Sequence, residues 1–517
     1  MQELGRMIKK LCSKLFSRIV ITGVLILIQA AWFWSLFTSL SSYAHWLNPL
    51  MIALSVIMCA VLIRQDSTAP EFKISWMVLF MIMPVQGGLL YLLWGDKRPA
   101  FRLRKKLDWA YDRIRPLRRT DPAAQAMLEQ ANPRAGRTAA YLRDFAAYPV
   151  YSGTNVKFYA SGEAVFPDLL EALESAQESI LLEFFIISKG KMWDAVHDVL
   201  RRKAAQGVDV RMIYDDVGCA TGLPAQYWKT LQVEGIQAVP FTPFVPLLNL
   251  VMNSRDHRKI VVIDGKIGYT GGMNIADYYI NGLPKIGKWH DIHMHIEGDA
   301  VRYLQGIFLT MWNQETGQHI GGPAYFPDLP QFPDSIAEEI AIVDRTPRET
   351  PRSISHAYAV SIEAAQKNIQ IVNPYFVPTK SIRKAIKKAL KKGTEVEIMI
   401  PAVSDIPFTP EASFYIAHKL MKRGAKIYLF KDGFHHSKVM MVDSTFCTVG
   451  TANLNSRSLR YDYETNAFIF DPSTTNQLNS MFERDKKNST LLTPEMWKKR
   501  SGWKKFLGWV GNLLTPL

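Results

Sequence analysis

The chain has 517 residues, with 62 Lys and Arg against 47 Asp and Glu and a formal net charge of +15. That length exceeds one ordinary core, so two domains with additions are expected, and the charge points to an anionic partner: nucleic acid, a phosphorylated metabolite or an acidic membrane. Cys12, Cys59, Cys219 and Cys447 are scattered without CxxC or framework spacing, which reads as unpaired thiols and excludes a disulfide scaffold.

No Lys, Arg, Asp or Glu occurs between Arg18 and Arg64. The run is too long for a signal-peptide core and long enough for two spans of about 20 residues each, broken at Ser39–His45. A third uncharged run, Ile74–Trp94, carries Pro84, Gln86, Gly87 and Gly88 near its middle. It either spans with a kink or dips in and returns. Residues 1–95 are thus expected to be membrane-spanning, with two to three hydrophobic segments. Basic residues crowd the stretch from Lys97 to Arg119, which favours the cytoplasmic side and binds anionic lipid. Lys9, Lys10, Lys14 and Arg18 make the same claim for the N-terminus. Three full spans cannot satisfy both clusters; the second takes precedence, placing the remainder of the chain in the cytoplasm. Residues 96–150 read as a basic juxtamembrane linker, with a short helix in the Ala-rich Asp121–Arg143.

From Val156 the elements alternate: helix Phe166–Ala176, strand Ile180–Ile187, helix Trp193–Gln206, strand Val208–Tyr214. The order returns as helix Ser355–Gln366, strand Ile369–Val372, helix Ile382–Lys391 and strand Glu395–Ile400. Such alternation predicts α/β halves, each a sheet flanked by helices, at residues 151–335 and 336–485.

Each half holds the same motif. His257-Arg-Lys259 is followed by four apolar residues, Asp264, and then Gly271-Gly-Met-Asn274. His436-Ser-Lys438 is followed by four apolar residues, Asp443, and then Gly450-Thr-Ala-Asn453. A single His-x-Lys is common on solvated strands; two copies with equal internal spacing are not. Strand side chains alternate, so His and Lys share a face in each copy. Asp264-Gly265 is a hairpin signal, and the return strand ends at glycines, where Asn274 can point inward. An imidazole, an ammonium and an amide from each copy make a set suited to a phosphate.

A phosphodiester resists attack because its anionic oxygens repel nucleophiles. Two lysines and two asparagines would neutralise developing charge. One neutral imidazole can attack phosphorus while the other, protonated, serves the leaving alcohol, giving a phosphohistidine that a second alcohol resolves. Two such displacements call for no metal and no other cofactor. The run His290-Asp291-Ile-His293-Met-His295-Ile-Glu297 sets four ligand-type residues on one strand face and is open to a metal reading. The preferred reading makes Asp291, and its second-half counterpart Glu464, carboxylates that orient an imidazole through its second nitrogen. His435 points away from His436 and reads as structural.

The apolar stretches Pro240–Met252, and Pro407-Phe-Thr-Pro with Phe414-Tyr415, precede the two histidines. They are either core packing or a lip through which an acyl chain reaches the site. In residues 486–517, Trp497, Trp503, Phe506 and Trp509 interleave with Lys498, Lys499, Arg500, Lys504 and Lys505, the composition of an amphipathic helix lying on a membrane surface.

The paired His-x-Lys-x4-Asp copies resemble those of the phospholipase D superfamily. Tyr214-Asp-Asp-Val-Gly218, Asn373-Pro-Tyr-Phe-Val-Pro378 and Gly450-Thr-Ala-Asn-Leu-Asn-Ser-Arg-Ser458 resemble its bacterial cardiolipin synthases over roughly residues 46–517. The resemblance implies duplicated phospholipase D-like α/β lobes preceded by transmembrane helices, with the active site between the lobes. It implies condensation of two phosphatidylglycerols to cardiolipin and glycerol without metal. It also implies a catalytic set of His257, Lys259, Asp264, His436, Lys438 and Asp443, in which His257 is the nucleophile and His436 the acid and base. Asn274 and Asn453 would bind the phosphate. Two features depart from the pattern: the first hydrophobic run is extra, and Asn455 stands where Asp is expected. Hydrolysis of the same substrate, a membrane-tethered nuclease and a lipid-binding scaffold are the competing functions. The basic residues cluster beside the spans and at the tail, which favours anionic membrane lipid over nucleic acid as partner.

Overall fold

The computed structural model describes residues 41–64, 70–94, 101–114, 121–146, 148–243, 254–280, 286–329, 338–346, 353–405 and 409–514. They belong to two compact units, one of residues 1–100, 244–253 and 513–517, the other of residues 101–243 and 254–512.

In the first unit the uncharged runs form α1 (Ser41–Ile63), α2 (Pro70–Ile82) and α3 (Pro84–Trp94). Ile74–Trp94 is split at Pro84, whose ring displaces the preceding turn and which offers no N–H. Leu62, Trp76 and Phe80 form a small buried cluster, with Tyr91 edge-on to Trp76 at 5.0 Å. The Ser55 hydroxyl donates to the Phe80 carbonyl at 2.8 Å. Ile52, Val56, Ile57, Val61, Val78 and Met81 point outward and are exposed. Side chains of α1 are described from Pro49 onward, and among the described residues no helix is long and apolar enough to cross a membrane. The run before Ser39 lies outside the described residues.

The second unit is organised on one 15-stranded sheet. Its first half supplies β1 (Tyr151–Tyr159), β2 (Ser179–Phe184), β3 (Asp209–Asp215), β4 (Gln237–Phe241), β5 (Lys259–Ile263) and β6 (Ile267–Gly271), with β7 (Trp289–His290) apart and β8 (His293–Gly298) following. The second supplies β9 (Glu338–Arg345), β10 (Asn368–Val372), β11 (Glu395–Pro401), β12 (Lys426–Phe430), β14 (Val439–Val442), β15 (Phe446–Gly450), β16 (Glu464–Ile469) and β17 (Ser489–Leu491), with β13 (Phe434–His435) apart and paired with β7. The order is β17-β12-β11-β10-β14-β15-β16-β9-β1-β8-β6-β5-β2-β3-β4. Read outward from the β9–β1 junction, the two halves repeat, and β17 is an addition. In each half three outer strands run parallel, as helical crossovers require, and the inner ones are antiparallel hairpins.

Both faces of the sheet are covered, which explains strands apolar on both sides. Ile180, Leu182, Val261 and Ile263 enter one core with α4 (Gly162–Ser175) and α5 (Lys191–Ala205). Leu181, Ile213, Ile260 and Val262 enter another with α6 (Val301–Thr316). Helix α4 begins where the Ser161 hydroxyl accepts the Ala164 N–H.

Two expectations need correction, and one open alternative is decided at Phe241. The segment 96–150 is no linker where it is described: helices Phe101–Ile114, Pro122–Ala131 and Pro133–Ala146 bury Leu107, Ile114, Leu128, Ala139 and Leu142 in the same core as the sheet. Small residues allow this; a Cβ on Gly136 would sit 2.9 Å from the Glu129 Cα. Phe241 does not form a lip: it is 1 % exposed and edge-on to Tyr463 at 5.2 Å. Residues 244–252 and 407–408 of these stretches lie outside the described residues. The tail is not wholly a surface element. Trp497 stacks on His418 at 4.1 Å and Arg500 lies 4.2 Å over the Phe414 ring, whereas Trp503, Phe506 and Trp509 are exposed.

Candidate active site

The two motifs occupy equivalent strands. β5 pairs with β2 and β6, and β14 pairs with β10 and β15, so Lys259 and Lys438 each stand at the start of a buried hairpin strand. Asp264 and Gly265 have φ of 50° and 64°, left-handed values within the three-residue turn that joins Ile263 to Ile267. The sequence leads one to expect Asp264 and Asp443 among the catalytic residues, but their carboxylates lie elsewhere. Asp264 accepts backbone N–H groups of Gln177, Glu178 and Ser179 at 2.8–2.9 Å. Asp443 accepts those of Gln366, Lys367 and Asn368. Each fastens its hairpin turn to the chain entering the neighbouring strand.

His257 and His436 instead line one cavity of about 390 Å³, together with Asn274 and Asn453. The chain brings them there through two seams between the halves. The His257 N–H donates to the Tyr463 carbonyl at 3.0 Å, and the Tyr463 N–H to that of Arg255 at 2.8 Å. The His436 N–H donates to the His290 carbonyl at 2.7 Å, next to the parallel β7–β13 pair. The seams deliver a carboxylate to each ring from the opposite half. Glu464 lies 3.0 and 3.1 Å from His257 Nδ1, and Asp291 lies 2.6 Å from His436 Nδ1. A carboxylate at Nδ1 holds the proton there, so a neutral ring presents the Nε2 lone pair to the cavity. Gly272 leaves room for this exchange, since a Cβ there would meet Asp291 Oδ1 at 2.0 Å.

Electrostatics follow from burial. It pushes His257 down to about 4, against the pull of Glu464, and His436 down to about 3, with Lys438 acting in the same sense. Burial likewise pushes Lys259 to about 7 and Lys438 to about 8. Burial alone would raise Asp291 and Glu464; Lys438 and His436 for the first, His257 and Lys259 for the second, bring them below the ordinary carboxylate range. Lys259 donates to the His257 carbonyl at 2.5 Å, and Lys438 to that of His436. The Asn274 amide accepts from Ile186 N–H at 3.0 Å and donates to the Tyr279 hydroxyl at 2.7 Å. The site therefore holds two neutral imidazoles and two ammonium groups kept close to losing their protons. An entering anion relieves that shortage of negative charge.

Of the first-half run, His293 stays within electrostatic reach of Asp291, whereas His295 and, in the second half, His435 are engaged elsewhere. His295 pairs with Asp168 at 2.8 Å and Glu297 at 3.1 Å, away from Asp291, and His435 pairs with Asp485 at 3.0 Å. Sequence reasoning missed the aromatic wall of Tyr279, Trp289 and Tyr375 around His436, and Asp405, Arg457 and Asp462 on the cavity. Asp462 stands two residues before Glu464, which was the available signal. Another buried set is Arg258, with Glu183 at 3.1 Å and Asp344 at 2.5 Å, tying β5 to β2 and to β9 of the other half.

The family model described as "Cardiolipin synthase, PLD-like domain" matches residues 169–286 and 358–486, one match on each half of the site. Another, "Phospholipase D-nuclease N-terminal", matches residues 53–95. A cardiolipin synthase of Listeria monocytogenes is 33 % identical over 481 residues, 90 % of this chain and 98 % of that one. One of Staphylococcus aureus is 34 % identical over 456 residues, 86 % of this chain and 90 % of its own. Among solved structures, phosphatidylserine synthase of Haemophilus influenzae Rd KW20 shares the fold, with a TM-score of 0.55 at 14 % identity, over 73 % of this chain and 97 % of that one. The chain belongs to the bacterial cardiolipin synthases, enzymes of the phospholipase D superfamily.

Proposed function

We propose that this chain transfers a phosphatidyl group from one phosphatidylglycerol to another, giving cardiolipin and glycerol through a phosphohistidine. The observation that carries the reading is the crosswise pairing of His257 with Glu464 and His436 with Asp291 on one cavity. The donor phosphate settles among His257, His436, Asn274 and Asn453, and the buried Lys259 and Lys438, which do not line the cavity, help offset the charge of its oxygens. His257 Nε2 attacks phosphorus, the bond to the glycerol oxygen breaks, and His436, having gained a proton as the anion bound, gives it to that oxygen. The hydroxyl of a second phosphatidylglycerol then loses its proton to His436 and attacks phosphorus, the P–N bond breaks, and His257 is regenerated. Asp264 and Asp443 support the two hairpins, and Asp291 and Glu464 hold the rings.

A multi-pass location with the lobes on the cytoplasmic side rests on the uncharged stretch between Arg18 and Arg64, the exposed apolar residues of α1 and α2, and the basic cluster after Trp94. Exposed Trp503, Phe506 and Trp509 beside Lys504 and Lys505 suit contact with an anionic surface. The test is purified protein in phosphatidylglycerol vesicles, with products separated by mass spectrometry. Cardiolipin and free glycerol in near-equal amounts are expected. Phosphatidic acid as the main product would make the enzyme a hydrolase.

A further inference from the structure

The first half-reaction needs one anion neutralised, and the lysines and asparagines meet that need. The second brings another. On the reading proposed above, on which this inference rests, the acceptor is itself a phosphodiester, and its phosphate lies one glycerol away from the phosphorus it attacks. The neutral glycerol that departs in the first half-reaction makes no such demand.

The cavity has one charged feature fitted to it. Among the described residues lining it, Arg457 is the one Lys or Arg. Its side chain is 51 % exposed, so it stands at the open end. Arg457 Nε lies 3.1 Å from Asp462 Oδ2 in an ion pair, and the Asp462 N–H donates to the Arg457 carbonyl at 3.2 Å. Asp462 is itself 4 % exposed, and its other oxygen accepts the Arg255 N–H at 3.1 Å within the seam that carries His257. The guanidinium is thus anchored by a buried carboxylate that is fixed to the same seam as the His257 imidazole.

The pseudo-two-fold sharpens the point. With Asn274 aligned on Asn453 and Asp291 on Glu464, Tyr278 corresponds to Arg457 and Trp289 to Asp462. The first half fills these positions with a tilted aromatic pair, ring centroids 4.6 Å apart, and the second with an ion pair. All four residues line the cavity. Asn455, where the family pattern leads one to expect Asp, also lines it and uses its neutral amide oxygen to accept the Ser458 N–H at 2.9 Å. The end of the cavity bearing Arg457 therefore carries one carboxylate fewer against an incoming anion. We propose that Arg457, positioned by Asp462, is the subsite for the phosphodiester of the acceptor lipid.

The experiment sets two acceptors against each other. Full-length enzyme in phosphatidylglycerol vesicles is given ethanol, and cardiolipin and phosphatidylethanol are quantified together. Both products draw on the same phosphatidyl-enzyme, but ethanol has no phosphate. Arg457→Gln should lower the cardiolipin-to-phosphatidylethanol ratio by roughly tenfold or more, the scale of one charge-assisted hydrogen bond. Arg457→Lys should recover part of it, and Asp462→Asn should shift it in the same direction by less. An unchanged ratio in Arg457→Gln, or an equal loss of both products, would overturn the subsite while leaving the synthase reading in place. Wild-type enzyme that forms phosphatidylethanol but no cardiolipin would instead overturn both.

Discussion

The two halves of the site are built on the same strands and loaded differently. In the first, His257 meets a Glu whose two oxygens share its Nδ1, and Phe185 is edge-on to the ring at 4.9 Å. In the second, His436 meets a shorter Asp at 2.6 Å, Lys438 Nζ lies 2.8 Å from Nδ1 and 3.2 Å from Nε2, and Tyr279, Trp289 and Tyr375 surround the ring. The loop positions differ in the same way: Gly272 yields space to Asp291, whereas its equivalent Thr451 donates its hydroxyl to Glu464. Duplication preserved what the backbone requires, the hairpin, the Asp at its turn and the His-x-Lys face. What touches each imidazole was left to diverge, and two unlike imidazoles can take unlike roles.

The widest separation between the halves should come from removing the rings. His257→Ala is expected to abolish turnover and covalent labelling. His436→Ala should slow turnover by roughly 10²–10⁴-fold yet still form phosphatidyl-enzyme from a donor with a good leaving group. The carboxylates should sort crosswise, each with a loss of about 10–100-fold: Glu464→Gln with the His257 pattern, Asp291→Asn with that of His436. Labelling that survives in Glu464→Gln and fails in Asp291→Asn would reverse the assignment of roles.

A smaller effect concerns what the halves share. Burial lowers Lys259 to about 7 and Lys438 to about 8, and a bound phosphate raises both. A group whose pKa rises on binding contributes affinity that is fully present below its free-state value and lost as pH rises past it. Affinity for a dialkyl phosphate such as dimethyl phosphate, which does not itself titrate in this range, should therefore fall from about pH 7 upward, approaching about tenfold per pH unit per proton linked. Calorimetry in two buffers of different ionisation enthalpy would register the proton uptake. A dissociation constant flat from pH 6.5 to about 9.5 would mean that both lysines stay charged.

The residue between His and Lys gives the smallest contrast, in stability rather than rate. Arg258 is buried among Glu183, Asp344 and Asp256, so Arg258→Met strands their charge and should cost roughly 3–5 kcal/mol. Ser437 is equally buried, and its hydroxyl has no hydrogen-bond partner among the described residues. Ser437→Ala should change stability by no more than about 1 kcal/mol. Thermal midpoints of the two variants in one detergent would decide; equal losses would remove the distinction.

Spacing alone made the hairpins, the shared His and Lys face and both asparagines legible, because each depends on residues close in the chain. It also named Asp291 and Glu464. It did not show that each serves the other half, since Glu464 is 207 residues from His257 and the pairing is decided by the seams at Tyr463 and His290. Asp264 and Asp443 were legible as motif members but not as turn fasteners, because their partners are backbone N–H groups, which leave no mark in a sequence. The segment 96–150 looked like a linker because its charge is conspicuous, while the burial of Ala135 and Ala139 rests on small size, a weak signal.

The crosswise carboxylates also impose an order in time. Domains form largely from the N-terminus as synthesis proceeds, so the first half, with His257 and both of its hairpin strands, leaves the ribosome long before Glu464 is made. Until then that imidazole lacks the carboxylate at its Nδ1, and His436 and Lys438 arrive only shortly ahead of it. On the proposed reading, a half-made chain carries an unarmed nucleophile. The capacity to break a phosphodiester appears together with the second half, which also brings Arg457 and Asp462 to the cavity.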